Sequence, residues 1–405
     1  MSAITSNPTE HSPTSSPADA DAQSLLAQVR PSTPLFIASP RHTLLASSLH
    51  GIVAPGAASL PSRVRKALAR ATATGAAAPV AVGAVPFDPT RPAALSVAPT
   101  LRRARALPPA APLRGERLPC RMRAVPTGAD YTVAVAEAVR RIALGEIDKV
   151  VLARTLELAS DRPVELPTLL ARLASRNPLG YTFSVALGDG RTLLGASPEL
   201  LVSRSDGMLR ANPLAGSAPR AADPQEDRRR AQALLVSRKD LEEHRLVVEA
   251  VAHALRPLCP QLQVPARPSL VHTPAMWHLS TEISGATEAD ALTLALALHP
   301  TPAVCGLPRG RAHALIQQLE PFDRAFYAGA FGWTDAYGDG EWVVAIRCAE
   351  LKERQLRLFS GAGIVAQSQP EAELAETAAK FRTMLDALGL AHEEADQPAT
   401  AETLA

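Results

Sequence analysis

The sequence predicts an α+β fold: one large domain in which extensive, mainly antiparallel β-sheets pack against helices. Three observations lead there. Apolar runs rich in β-branched residues at 149–158, 181–187, 192–204, 341–351 and 355–365 read as strands. These runs are not separated by single helices in strict alternation, which argues against a doubly wound parallel sheet. Nothing between 130 and 388 reads as a linker, so that stretch belongs to one body.

Along the chain, residues 1–24 are rich in Ser, Thr, Pro, Ala and Asp, the composition of a disordered tail. Residues 25–129 form an Ala/Pro-rich first part of the fold. There PLFIASPRHTLLAS (34–47) reads as strand, turn and strand, LPSRVRKALARATATG (60–75) as a helix ending at Gly75, and APVAVGAVPFD (78–88) as a buried strand. The many prolines of 89–125 predict a path over the surface. A catalytic region is expected over 130–390. It opens with DYTVAVAEAVRRIALGEI (130–147), whose Val133, Val135, Ala136, Val139, Ile142 and Ala143 fall near one helical stripe. Further helices are expected at 166–176, 237–256, 288–298, 311–320 and 371–388. SRKD (237–240) is a start of capping-box type with Asp in the third position. Residues 391–405 are expected to be a second disordered tail.

With 46% hydrophobic and 20% charged residues, the 405-residue chain has the material for a sizeable core. A net charge of +2, with Lys and Arg dispersed, gives no field for a nucleic-acid partner. The one tight basic run, Arg228, Arg229 and Arg230, reads as a solvated helix face. Cys120, Cys259, Cys305 and Cys348 lack zinc or redox spacing and are expected to be reduced thiols of a cytoplasmic protein. No apolar run reaches transmembrane length, so no membrane partner is expected. The first residues, with Glu10 and no basic region followed by an apolar one, do not read as a signal peptide.

Chemistry is suggested where polar residues break apolar patterns. Lys149 opens a strand; such a lysine is commonly a solvated end, and a base role requires burial that lowers the ammonium pKa. Glu199 in GASPELL follows a Ser-Pro step and either sits exposed at a bend or points into a cleft, where its raised pKa would suit a proton donor. On the 237–256 helix, Leu241, His244, Val248, Val251 and Leu255 share an apolar stripe, and Glu243 points away from its centre, as a solvated residue would. On the 371–388 helix, Leu374, Ala378, Phe381 and Leu385 form the core face, opposite Glu373, Glu376 and Lys380. An exposed Glu–Lys pair explains that cluster equally well. Arg347 interrupts an apolar strand. SGAGIV (360–365) and PLAGSAPR (213–220) read as glycine turns whose N–H groups suit a carboxylate. Carboxylates without thiolates or paired histidines favour a hard cation such as Mg²⁺. His278 in MWHLST is a hydrogen-bonding or a core histidine.

Taken together, KVVLAR, GASPELL, NPLAGSAPR, SRKDLEEH, MWHLST, HPTPAVCGLP, LEPFDR, FGWTDAYGDGEWVVAIRCAEL and FSGAGIV followed by ETAAK resemble the chorismate-utilising enzymes over roughly 130–388. The resemblance is strongest to isochorismate synthases of the siderophore type. It implies that family's fold and a reversible isomerisation of chorismate by water addition at C2 and loss of the C4 hydroxyl, feeding siderophore, salicylate or menaquinone synthesis. It implies Lys149 as general base and Glu199 as general acid. Glu243 and Glu376 would hold Mg²⁺, Arg347 would grip the enolpyruvyl carboxylate, and Gly361 would add a backbone contact. Gly216, Ser217, His278 and Lys380 would line the substrate site. Ala303 stands where salicylate synthases, which also eliminate pyruvate, carry Thr; that alternative activity and a catalytically silent chorismate-binding protein are the competing readings. A monomer without an amidotransferase subunit is expected, since the nucleophile is water.

Overall fold

The computed structural model describes residues 21–108, 110–111 and 117–390. Among these residues every strand pairing is antiparallel, and the strands form sheets of ten, eight and three. The α+β expectation holds.

The ten-stranded sheet runs from Gly306–Leu307 through Lys149–Ser160, Gln355–Ile364, Cys348–Lys352, Arg191–Ser197, Tyr181–Gly188, Leu35–Ala38 and His42–Ala46 to Arg102–Arg105; Cys120–Val125 also pairs with Lys149–Ser160. The eight-stranded sheet has Leu200–Ser205, Gly340–Val344 and Ala330–Asp335 at its middle. The two sheets share an apolar core in which Phe183 of the first stacks on Phe331 of the second with ring centroids 3.7 Å apart. The other face of the ten-stranded sheet is covered by the helices Ala22–Ala27, Leu166–Arg176 and Pro370–Leu388.

Two expected strands are each divided between the sheets. Residues 192–204 break at Pro198, which lacks the N–H a ladder needs, so Arg191–Ser197 lies in the larger sheet and Leu200–Ser205 in the smaller. Residues 341–351 break in the same place, between Gly340–Val344 and Cys348–Lys352. The two strands stay paired through the change, Gly195 opposite Cys348 on one side and Leu200 opposite Val343 on the other. At this shared corner Ser197 Oγ donates to Val344 O at 2.6 Å, and Val344 N donates to Glu199 O at 3.0 Å.

The surface path expected for 89–125 is corrected: Ala94–Ala98, Arg102–Arg105 and Cys120–Val125 are strands, with the prolines falling between them. Residues 22–24, placed in the first tail by composition, begin the helix Ala22–Ala27, where Leu25 and Leu26 are buried. Residues 1–20 and the second tail, 391–405, lie outside the described residues. The turn expected at 360–365 is also corrected, because Gln355–Ile364 is a continuous strand pairing with Lys149–Ser160 from Gln355 opposite Ala159 to Ile364 opposite Val150. Gly361 and Gly363 there admit the side chains of Tyr327 and of the helix residue Glu243 rather than bending the backbone. The 213–220 segment is likewise a strand, Leu214–Pro219, bulged at Gly216, whose φ of +76° suits glycine.

Arg229 and Arg230 pair with Glu226 on the surface helix Pro224–Val236, the solvated face expected of that run. Cys259, Cys305 and Cys348 are buried free thiols. No helix among the described residues is long and apolar enough to cross a membrane.

Candidate active site

Glu199 and Arg347 occupy the two halves of the sheet-switching corner. Leaving a ladder frees a residue's side chain from the pleat, so both point into one cavity. Arg347 is 8% exposed and has a left-handed backbone, φ +51°. Its carbonyl accepts from Ala196 N at 3.1 Å, and Gly195 leaves it room: a Cβ at 195 would meet Arg347 O at 2.4 Å. Burial raises the Glu199 carboxyl to about 7, against the pull of a Leu214 N–H and the charges of Arg347, Lys149 and Lys380.

From the opposite side come two helices. Arg238–Leu255 carries Asp240 and Glu243 three residues apart, and Pro370–Leu388 carries Glu373 and Glu376 at the same spacing, so each pair shares a face. The solvated placements expected for these groups are corrected: Glu243 is 7% and Glu373 1% exposed. They are buried because lysines neutralise them. Lys149, at 0% exposure, places Nζ 2.9 Å from Glu243 Oε1. Lys239 Nζ is 2.8 Å from Glu373 Oε1, and Lys380 pairs with Glu376 while donating to Gly361 O at 2.9 Å. Burial pushes the Glu243 carboxyl up, but Lys149 and Lys239 more than offset it, and the net shift is downward. Burial also opposes the Lys239 ammonium, and Glu373, Glu376 and Glu243 overcome that and raise it.

Glycines make the approach possible. A Cβ at Gly363 would fall 2.0 Å from Glu243 Oε1 and 3.1 Å from Lys149 Cε. One at Gly216 would meet the Asp240 Cβ and backbone at 3.0 Å, so this glycine lets the Glu243 helix lie on the Leu214–Pro219 strand.

His278 and Ser217 line the cavity beside Arg347. Arg347 Nη2 is 3.5 Å from His278 Nε2, and Ser217 Oγ is 2.8 Å from His278 Nδ1. A guanidinium only donates, so Nε2 accepts; the ring proton then sits on Nδ1 and is donated to Ser217 Oγ. The hydroxyl proton of Ser217 is left to face the cavity. Burial, with Arg347 and Lys380 nearby, holds His278 far below its usual pKa and hence neutral.

The cavity therefore gathers Glu199, Gly216, Ser217, Glu243, His278, Ala303, Arg347, Gly361, Glu376 and Lys380, with Lys149 behind Glu243. Its free space is about 50 Å³, room for a few waters. Sequence reasoning missed Tyr327, a cavity residue stacked on Phe359 with centroids 4.8 Å apart and its hydroxyl 2.8 Å from the Cβ position of Gly361. The only signal was an aromatic inside the small-residue run AFYAG. Lys239 and Asp240 were read as a helix start alone.

Residues 100–389 match the chorismate binding enzyme family. The chain belongs to this family. Isochorismate synthase DhbC of Bacillus subtilis (strain 168) is 47% identical over 393 residues, covering 92% of this chain and 97% of that protein. Isochorismate synthase EntC of Escherichia coli (strain K12) is 44% identical over 329 residues, covering 80% and 84%. A solved Bacillus anthracis structure, assigned as the 2,3-dihydroxybenzoate-specific isochorismate synthase DhbC, matches with a TM-score of 0.87 at 48% identity, over 91% of this chain and 100% of that one. The family and fold expected from the motifs are thus borne out, and the relatives are isomerases.

Proposed function

We propose that this chain is an isochorismate synthase that converts chorismate reversibly to isochorismate, with Lys149 and Glu199 as its base and acid. The observation that carries the reading is the cavity itself. A carboxyl that burial raises to about 7 stands at one hollow with an arginine and two carboxylates, and a buried amine lies 2.9 Å behind one of those carboxylates.

Lys149, as the neutral amine and not as the ammonium that pairs with Glu243, takes a proton from the water whose oxygen bonds to C2. The C1=C2 bond moves to C1=C6, C5=C6 moves to C4=C5, and the C4–O bond breaks. Glu199 gives the departing hydroxyl its proton. Each transfer contributes typically ~10²–10⁴-fold. Arg347, aided by Lys380, holds the enolpyruvyl carboxylate of the dianion, and Gly216, Ser217, His278 and Gly361 fit the ring between the sheet corner and the helices. Positioning and fixed charge complete the catalysis.

Glu243 and Glu376 fit a Mg²⁺ ion. They offer oxygen only, and both line the cavity; Gly363 gives Glu243 Oε1 room to lie against the strand, 2.9 Å from Lys149 Nζ. Among the described residues no three His, Cys, Asp or Glu side chains converge, so water would complete the coordination offered by the two carboxylates until substrate replaces it. When bound, Mg²⁺ would draw in the ring carboxylate and steady the charge moving through the ring. The free thiols of Cys259, Cys305 and Cys348 fit a reducing, cytoplasmic setting. We read the chain as acting alone, without an amidotransferase subunit, because water is the nucleophile.

Ala303 puts a methyl group, and no hydroxyl, on the cavity wall, which favours release of isochorismate over pyruvate elimination. Purified protein incubated with chorismate, with Mg²⁺ and with a chelator, is expected to give isochorismate only in the first case. Salicylate and pyruvate as main products would replace the reading by a salicylate synthase, and tight chorismate binding without turnover by a silent binding protein.

A further inference from the structure

We propose that Lys239 is a built-in counter-cation of the carboxylate cluster, one that an incoming divalent ion has to displace. The inference rests on Glu243 and Glu376 as the pair that holds the ion.

Three lysines neutralise the cluster, and their surroundings differ. The Lys149 side chain is 0% and that of Lys380 10% exposed, so neither has solvent to retreat into. The Lys239 side chain is 26% exposed and sits in the first turn of its helix. It reaches inward to a carboxylate that is 1% exposed, and the charges of Glu373, Glu376 and Glu243 all act on it. An ammonium held 2.8 Å from Glu373, itself one helical turn from Glu376, and on the same helix as Glu243, adds positive charge beside the place a divalent ion would take, and like charges oppose one another. Lysine is a flexible, strongly hydrated point charge, suited to swinging out to water.

The same contact joins the two acidic helices, Arg238–Leu255 and Pro370–Leu388. A divalent ion between Glu243 and Glu376 would replace that tie with its own. Lys239 thus sets a threshold: the cluster closes on its own lysine until the free ion concentration is high enough to exchange it.

Calorimetric titration of the full chain with Mg²⁺, without chorismate, tests this on wild type, Lys239→Met, Lys239→Arg and Glu243→Gln. Lys239→Met is expected to bind Mg²⁺ about tenfold tighter or more, Lys239→Arg to stay within about threefold of wild type, and the gain to shrink as KCl rises. Without Mg²⁺, Lys239→Met should melt below wild type, and Mg²⁺ should raise its Tm by more. A folded Lys239→Met protein with unchanged or weaker Mg²⁺ affinity overturns the proposal while leaving the metal reading intact. No Mg²⁺ binding by wild type or Lys239→Met, or undiminished binding by Glu243→Gln, removes both.

Discussion

Gly363 lies directly against Glu243: a methyl group on residue 363 would stand 2.0 Å from Glu243 Oε1. The carboxylate is the far end of a side chain and can move, so the clash falls on the site and not on the strand. Gly363→Ala is expected to cost about 1–3 kcal/mol of stability, as overpacking a buried site does, and to lose about 10²-fold in kcat/KM, with weakened Mg²⁺ binding. Melting curves beside a product assay check this; full activity would show that Glu243 need not occupy that position.

The raised Glu199 carboxyl has consequences with a definite sign. Its value is 4.5 in the unfolded chain and about 7 in the fold, so the folded state holds the proton more tightly. The stability this contributes is complete below pH 4.5 and is lost as pH rises through 7. Glu199→Gln, neutral throughout, lacks that slope. Its stability relative to wild type should rise by up to about 3 kcal/mol across this window. Wild-type kcat/KM for chorismate should fall above pH 7 as the acid ionises, and Glu199→Gln should lose most activity at every pH. Urea titrations and pH–rate profiles measure the two effects.

The arginine beside His278 fixes where its ring proton sits. Two-bond ¹⁵N–¹H correlations on the folded protein should show His278 neutral at pH 7 with Nδ1 protonated. Ser217→Ala should raise KM for chorismate several-fold with little change in Tm. Protonation at Nε2 instead would rule out the hydrogen bond from Arg347 and leave Nδ1 to accept from the Ser217 hydroxyl.

Glu320 and Arg324 form a buried pair, both side chains 3% exposed or less, that ties the Lys149 strand to the cavity wall. Glu320 accepts from Ala153 N at 2.7 Å, and Arg324 donates to Val151 O at 2.7 Å and Val304 O at 2.8 Å. Arg324→Met should cost about 3–5 kcal/mol by leaving a lone buried carboxylate. Adding Glu320→Gln should recover part of that loss. Chemical denaturation of the two variants decides it.

Much of this molecule was legible in its residues, for physical reasons. Apolar runs marked the long strands, because the ten-stranded sheet is covered on both faces, and period-3.6 patterns marked the helices, which bury one stripe. Lys149 and Arg347 stood out as charges in apolar runs. The burial of Glu243 and Glu373 was not legible, since partners from other elements, Lys149 and Lys239, make it possible. The strand over 355–365 was legible, but its glycines also read as a turn, because no sequence pattern shows that Gly363 makes room for the helix side chain Glu243. The corner after Ser197 was hidden because an apolar strand that changes sheets keeps its alternation on both sides of the break.

That corner also dictates how this scaffold can vary. The proton donor and the anion anchor are spliced into the backbone pairing of two continuous strands, so shifting one drags the other and both sheets with it. The cation-facing carboxylates ride on separate helices whose docking depends on side chains. New substrates or metal preferences should therefore arise by re-tailoring the helical wall, while the strand crossing stays as the inherited hinge pin of the catalytic geometry.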